Sequence, residues 1–298
     1  MFWQCTKLTY LDLSGVDTSN VSDMSWMFTN CSSLTELDVS GFNTGSVTNL
    51  RGTFCNLRSL ESIDVSDFDT SKVVDMAHMF EGCSSLTNLN VKNFVTSNVS
   101  KMGWMFAGCS SITTIDLRNF NTENVEGMEA MFRQCTKLTT LDVSNFDTTQ
   151  VMYMYDMFYG CIEITELDLS SWNTVNLTDT ANMFYNCWKL ANLDISGLKT
   201  SEVHTMTGMF AYCSALVSVD VTGMDTSSAL YMDNMFECCI SLKELDVSEW
   251  QTHNATTMES MFYNCVELSY LDISGWDLSN AVTTDMFYGC PAGKTYIN

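Results

Sequence analysis

Proline occurs once, at Pro291, in a chain of 298 residues. Histidine occurs three times, and lysine and arginine together number 13 against 36 aspartates and glutamates. Each shortage excludes something. With neither prolines nor a Ser/Gly-rich linker to mark a boundary, residues 1–298 are read as one elongated domain. A net charge of −23 leaves no basic surface for phosphates, so nucleic acid is not an expected partner, and anionic membrane surfaces are disfavoured for the same reason. No apolar run reaches the roughly 18 residues of a membrane span, so no direct membrane insertion is expected. His78, His204 and His253 lie in separate stretches of chain. There is no nucleophile elbow, phosphate loop or zinc spacing, so the chain does not read as an enzyme.

Against these absences stands one strong regularity. Phenylalanine returns every 26 residues, at Phe2, Phe28, Phe54, Phe80, Phe106, Phe132, Phe158, Phe184, Phe210, Phe236 and Phe262, then one step short at Phe287. A strict period of this size marks a solenoid of stacked coils. Other columns keep step: Leu34, Leu37 and Val39 recur as Leu60, Ile63 and Val65, and again as Leu86, Leu89 and Val91. Only aliphatic residues fill these slots, so they face a shared core.

The segment Leu37–Val39 alternates apolar, acidic, apolar. That pattern predicts a short strand with one face buried, repeated into a parallel sheet with strands about 4.8 Å apart. Val21, Met24, Met27 and Phe28 fall on one stripe of a short helix. Asn30 and Gly82, two residues after their phenylalanines, suggest a left-handed residue ending it. Tyr212 and Cys238 hold that place in two coils and point to a different ending there. The fold class is an α/β solenoid of about 11 coils, with one short parallel strand and one short helix per 26-residue coil. A degenerate partial coil occupies 286–298, where Gly293 takes the leucine slot. Met1 and Phe2 already fill the Met-Phe slot, so no leader segment is expected at the start.

Most of the thirteen cysteines share one column, as Cys31, Cys83 and Cys109 show; in one coil that slot holds Leu57, and Cys55 has moved. A slot that accepts leucine is small and apolar, which favours buried free thiols. Scattered disulfides remain an alternative; metal binding needs convergent ligands, which a straight column lacks.

Two polar ladders accompany the core. The middle of each strand is aspartate in every coil but one, where Asn90 stands. Neighbouring carboxylates 4.8 Å apart repel by about 0.9 kcal/mol in water. Hydrogen bonds from nearby Ser and Thr hydroxyls and turn N–H groups are one means of offsetting this. A row of weakly bound Ca²⁺ along Asp142, Asp168, Asp194, Asp220 and Asp246 is another; no other cofactor is expected. The second ladder, Thr18, Thr44, Thr70 and their successors, reads as half-buried turn and cap chemistry, with an ice-ordering array as the remoter reading.

Variation concentrates elsewhere. Asn90, Lys92 and Arg118 form a less acidic patch. Trp26, Trp104, Tyr155, Tyr159 and Tyr185 lie outside the core columns, and aromatics in such positions are enriched at interfaces. These eight residues are the candidate binding surface, set against the plainer reading that the rings merely cover coil faces.

The unit Met-Phe-x-x-Cys-x-x-Leu-x-x-Leu-Asp-Val-Ser-x-Phe-Asp-Thr-Ser, seen in Ser32–Ser40 and Asp69–Met76, resembles the BspA-like leucine-rich repeat family. It is most similar to the branch first described from mycoplasma lipoproteins. The resemblance implies a leucine-rich-repeat-like right-handed superhelix, displayed extracellularly at a cell surface. It implies adhesion, with host or cell-surface proteins or glycans as partners. End-to-end self-association into a spacer or fibre is the alternative that open solenoid ends suggest.

Overall fold

The structure, a computed structural model, describes residues 1–291 and the backbone of a strand at 296–297; of the expected degenerate coil at 286–298, residues 292–295, Gly293 among them, and 298 lie outside the described residues. The chain folds into two compact units, Met1–Asp147 and Thr148–Asn298. Within each, like residues stack on like. In the first unit the Phe28 ring lies 5.6 Å from Phe2 and 5.9 Å from Phe54, at interplanar angles of 4° and 3°. In the second, Phe210 lies 5.6 Å from Phe184 and 5.0 Å from Phe236. A flat ring repeated at one slot stacks on its own copies, and the stack is sealed: Phe54, Leu60, Cys83 and Met102 have no exposed surface.

The strands are shorter and fewer than expected. In the first unit β1 (Ser62–Ile63) pairs in parallel with β2 (Asn88–Leu89). In the second, β3 (Glu166–Asp168) pairs with β4 (Asn192–Asp194), and β5 (Leu271–Asp272) with β6 (Tyr296–Ile297). Elsewhere the same segment makes single bridges, such as Thr114 to Thr140 and Glu244 to Tyr270. Turns confine it. The N–H of Leu34 closes one onto Cys31 at 3.0 Å, and the N–H of Ser40 closes another onto the Asp38 carboxylate at 2.9 Å. Little extended chain remains between them.

The expected helix is absent; no helix occurs among the described residues. In its place runs a series of overlapping turns. Amide to carbonyl bonds close Met27 onto Met24 (3.2 Å), Thr29 onto Trp26 (3.4 Å) and Cys31 onto Phe28 (3.1 Å). Trp26 and Asn30 have φ of 55° and 60°, the third-position conformation of a type II turn. The N–H groups of Met24, Trp26, Phe28 and Asn30 point instead to the next coil, donating to Asn49, Arg51, Thr53 and Cys55 at 2.8–3.0 Å. Spacing explains the outcome. A helix is about 10–12 Å across, whereas the Phe28 and Phe54 rings of adjacent coils lie 5.9 Å apart. A turn series is thin enough to stack at that distance and gives every second amide a partner in its neighbour.

Tyr212 and Cys238 do not end their coils differently. Their φ values of 62° and 56° match the Asn30 position. A second left-handed position, four residues earlier, was not anticipated: Trp26, Gly52, His78, Trp104, Ala130, Asp156, Asn182, Gly208, Asn234, Ser260 and Asp285. Its six Gly, Asn and Asp residues were the available signal.

Candidate functional site

The repeated polar groups serve the fold. Asp142 Oδ1 accepts the Ser144 N–H at 3.1 Å and its hydroxyl at 2.7 Å, and Asp220 is held likewise by Thr222 at 3.0 and 2.7 Å. Asp168, Asp194 and Asp246 accept the N–H two residues on, at 2.9–3.0 Å. Such bonds favour the ionised form. The hydroxyl first, then the N–H, holds Asp142, Asp168, Asp220 and Asp246 below the usual carboxylate range. All five are exposed. Asp220 and Asp246 share an open concavity of about 550 Å³ with Glu244, Tyr270 and Asp272. Among the described residues, no three His, Cys, Asp or Glu are grouped so as to hold a metal ion.

The threonine slot is buried, not half-buried. The Thr70 hydroxyl donates to the Val95 carbonyl at 3.0 Å and accepts the N–H of the same residue at 2.7 Å. Thr96 does the same with Asn121, and Thr226 with Gln251. One hydroxyl thus satisfies both backbone groups of a residue in the next coil. The cysteines are free thiols, and those of the column are buried apart from exposed Cys5 and half-buried Cys290. Cys83 donates to the Phe54 carbonyl of the preceding coil at 3.1 Å, and Cys213 to that of Phe184 at 3.1 Å. Burial pushes the thiols of Cys83, Cys135 and Cys213 up to about 12.

What does not repeat gathers where the turns face solvent. In the first unit, the Trp26 ring leans across Gly52, where an added Cβ would lie 2.1 Å from its Cε3. It thereby reaches His78, two coils on, at 5.6 Å. His78 stacks on Trp104 at 5.9 Å and holds Glu81 through Nδ1 at 2.6 Å. The Arg51 guanidinium lies 5.6 Å from the Trp26 ring, and that of Arg133 lies 5.8 Å from Trp104, within cation–π range. An open concavity of about 540 Å³ adjoins this edge, lined by Trp3, Trp26, Thr29, Asn30, Cys55 and Asn56. Two of the expected aromatics are therefore brought together around a histidine that the sequence had left isolated. A ring at positive φ is costly, on the order of 1–3 kcal/mol, and Trp26, His78 and Trp104 all adopt it.

In the second unit, Tyr159 and Tyr185 stack at 4.7 Å, and Tyr212 packs tilted on Tyr185 at 5.2 Å. The Tyr212 hydroxyl donates to Glu237 at 2.8 Å, which raises its pKa. Tyr155 is half-buried in the repeat position that Arg51 holds in the first unit. In the less acidic patch Arg118 is paired within its own coil. Arg118 binds Asp116 through two nitrogens at 2.9 and 2.8 Å, holding that carboxylate at about 2. Asn90 accepts the Lys92 N–H at 3.3 Å, and the Lys92 side chain is exposed.

Residues 1–115, 100–218 and 187–298 each match the family described as Mycoplasma protein of unknown function, DUF285. The chain belongs to that family. This is the mycoplasma family that the 26-residue unit resembles. No curated protein gives a match. Among solved structures, a leucine-rich repeat protein from Bacteroides ovatus is similar at 19% identity and a TM-score of 0.45, over 75% of this chain and 57% of that one. One from Eubacterium ventriosum is similar at 16% identity and 0.41, over 92% and 83%. An internalin from Listeria monocytogenes is similar at 16% identity and 0.31, over 94% and 81%. This DUF285 chain spans little more than half the length of the Bacteroides protein.

Proposed function

We propose that the chain is a non-catalytic binding module displayed at a cell surface, with host or other cell-surface proteins, or their glycans, as partners. One observation carries this reading: the division of labour among side chains. The repeating Asp, Thr, Cys and Phe columns are engaged within and between coils. The side chains free to vary lie on the turn edges and on the outer strand positions, where a stacked-coil protein offers its extended surface. Tryptophan, tyrosine and arginine are the residue types that dominate interface energetics. The test is binding of the chain to immobilised matrix proteins and glycans, with Trp26→Ala/Trp104→Ala and Lys92→Glu variants alongside. At least a tenfold loss is expected for one of them. Binding indifferent to both overturns the choice of surface, and no binding across the panel overturns the module.

The exposed apolar groups of the first coil favour a second reading, an end-to-end assembling unit: Met1, Trp3 and Tyr10 are 86%, 59% and 68% exposed. Sedimentation over a range of concentrations tests it. A ladder of growing species supports assembly, and a single monomeric mass throughout rules it out.

A further inference from the structure

Glu129 is an anomaly on the first unit's turn edge. Its carboxylate folds back along the outer turns and not into water. A Cβ added to Gly103 would lie 2.2 Å from its Oε1, and one added to Gly127 would lie 2.5 Å from its Oε2. Gly103, on an outer turn beside Trp104, is buried. Yet Oε2 is buried with no hydrogen-bond partner. A partnerless buried oxygen costs far more as part of an anion than as part of a neutral acid. The groups whose charges act on it are few. Burial, the largest effect, pushes the carboxyl up; its own backbone N–H, then His78 and Arg51, favour ionisation, and Asp75 opposes it.

We propose that the Glu129 side chain is a proton-dependent cover on the first unit's turn edge. Protonated, it lies along Gly103 and Gly127; ionised, it turns to solvent and bares the strip beside Trp104. The device needs no movement of the backbone. A group whose folded-state pKa is raised adds stability below its unfolded value and loses it as pH rises through the folded one. The closed form is therefore the acid form. The edge that carries Trp26 and Trp104 would present different surfaces in acid and neutral surroundings. This rests on the geometry of Glu129 and stands whether or not that edge binds a partner.

The experiment compares the whole chain with Glu129→Gln and Gly103→Ala, measuring acrylamide quenching and melting temperature from pH 4 to pH 8. Trp104→Phe identifies the Trp104 share of the quenching. In the wild type, Trp104 quenching is expected to rise as pH increases. Glu129→Gln should stay protected throughout, melting with the wild type at pH 4 and about 2–4 °C above it at pH 8, the shift a one-kcal/mol change gives in a chain of this size. Gly103→Ala, which leaves no room for the folded-back carboxylate, should be quenched at every pH. Identical curves for wild type and Glu129→Gln overturn the proposal. So does a melting difference without a change in quenching, since the cover would then stay shut.

Discussion

At the scale of single residues, the threonine column shows how a repeated side chain can be read correctly in kind and missed in role. Composition reveals a hydroxyl beside a turn, but not that its partner lies 25 residues on, as Thr70 to Val95 does. Only the stacking distance supplies that. The column also contains its own control. Thr44 Oγ1 is buried with no partner, whereas Thr70 bridges both backbone groups of Val95. Valine has nearly the shape of threonine, so substitution isolates the hydroxyl. Thr70→Val strands a donor and an acceptor and should cost about 1–3 kcal/mol. Thr44→Val removes an unsatisfied group and should be neutral or mildly stabilising. Urea unfolding of both variants checks this, and equal losses would show that the bridge contributes nothing. The thiols permit a second check. Cys5 is exposed, while Cys83, Cys135 and Cys213 are buried with pKa values near 12. A thiol reagent at pH 8 should label Cys5 at once and those three only after unfolding.

At the scale of the element, the core columns were legible because each slot admits one kind of residue: Phe28, Leu34 and Val39 are all buried as expected. The helix was misread because a three-residue apolar spacing does not discriminate. Val21, Met24 and Met27 fit a helical stripe, and they fit overlapping turns equally well. Two features break the tie, and both are physical. Left-handed residues at Trp26 and Asn30 cannot belong to one helix. Nor can a helix pass through coils whose rings lie 5–6 Å apart. The far-ultraviolet circular dichroism spectrum should accordingly lack the paired helical minima; their presence would restore the helix. Gly82 offers a sharper test of the turn itself. Its φ is 70°, and a Cβ there would lie 2.2 Å from Asn56 Oδ1. Gly82→Ala should therefore destabilise by at least about 1 kcal/mol, whereas Asn56→Gly, at φ 59°, should be close to neutral.

At the scale of the whole molecule, charge is the dominant variable, and the carboxylates act with two opposite signs. Nine ladder aspartates, Asp38 and Asp246 among them, are held below the usual carboxylate range by the side chain and N–H two residues on, a hydroxyl in eight of them and the Arg118 guanidinium at Asp116. Groups of this kind add stability above the unfolded value and lose it as pH falls through the folded one. Glu129 and Asp179, raised by burial, run the other way, but they are two against nine. Stability should thus fall between about pH 4 and pH 2, the lower limit being that of Asp116 beside Arg118. The same ladder decides the ion question. With a net charge of −23, any salt should raise the melting temperature by screening self-repulsion. A row of specific Ca²⁺ sites would add to that rise only if six to eight oxygens converged on each ion. Here each ladder carboxylate is already turned onto its own coil, as Asp142 is onto Ser144 at 2.7 Å. Ca²⁺ and Mg²⁺ at matched ionic strength should therefore stabilise equally. An excess for Ca²⁺ that EDTA removes, and that falls away in Asp220→Asn/Asp246→Asn, would instead establish calcium between the aspartates.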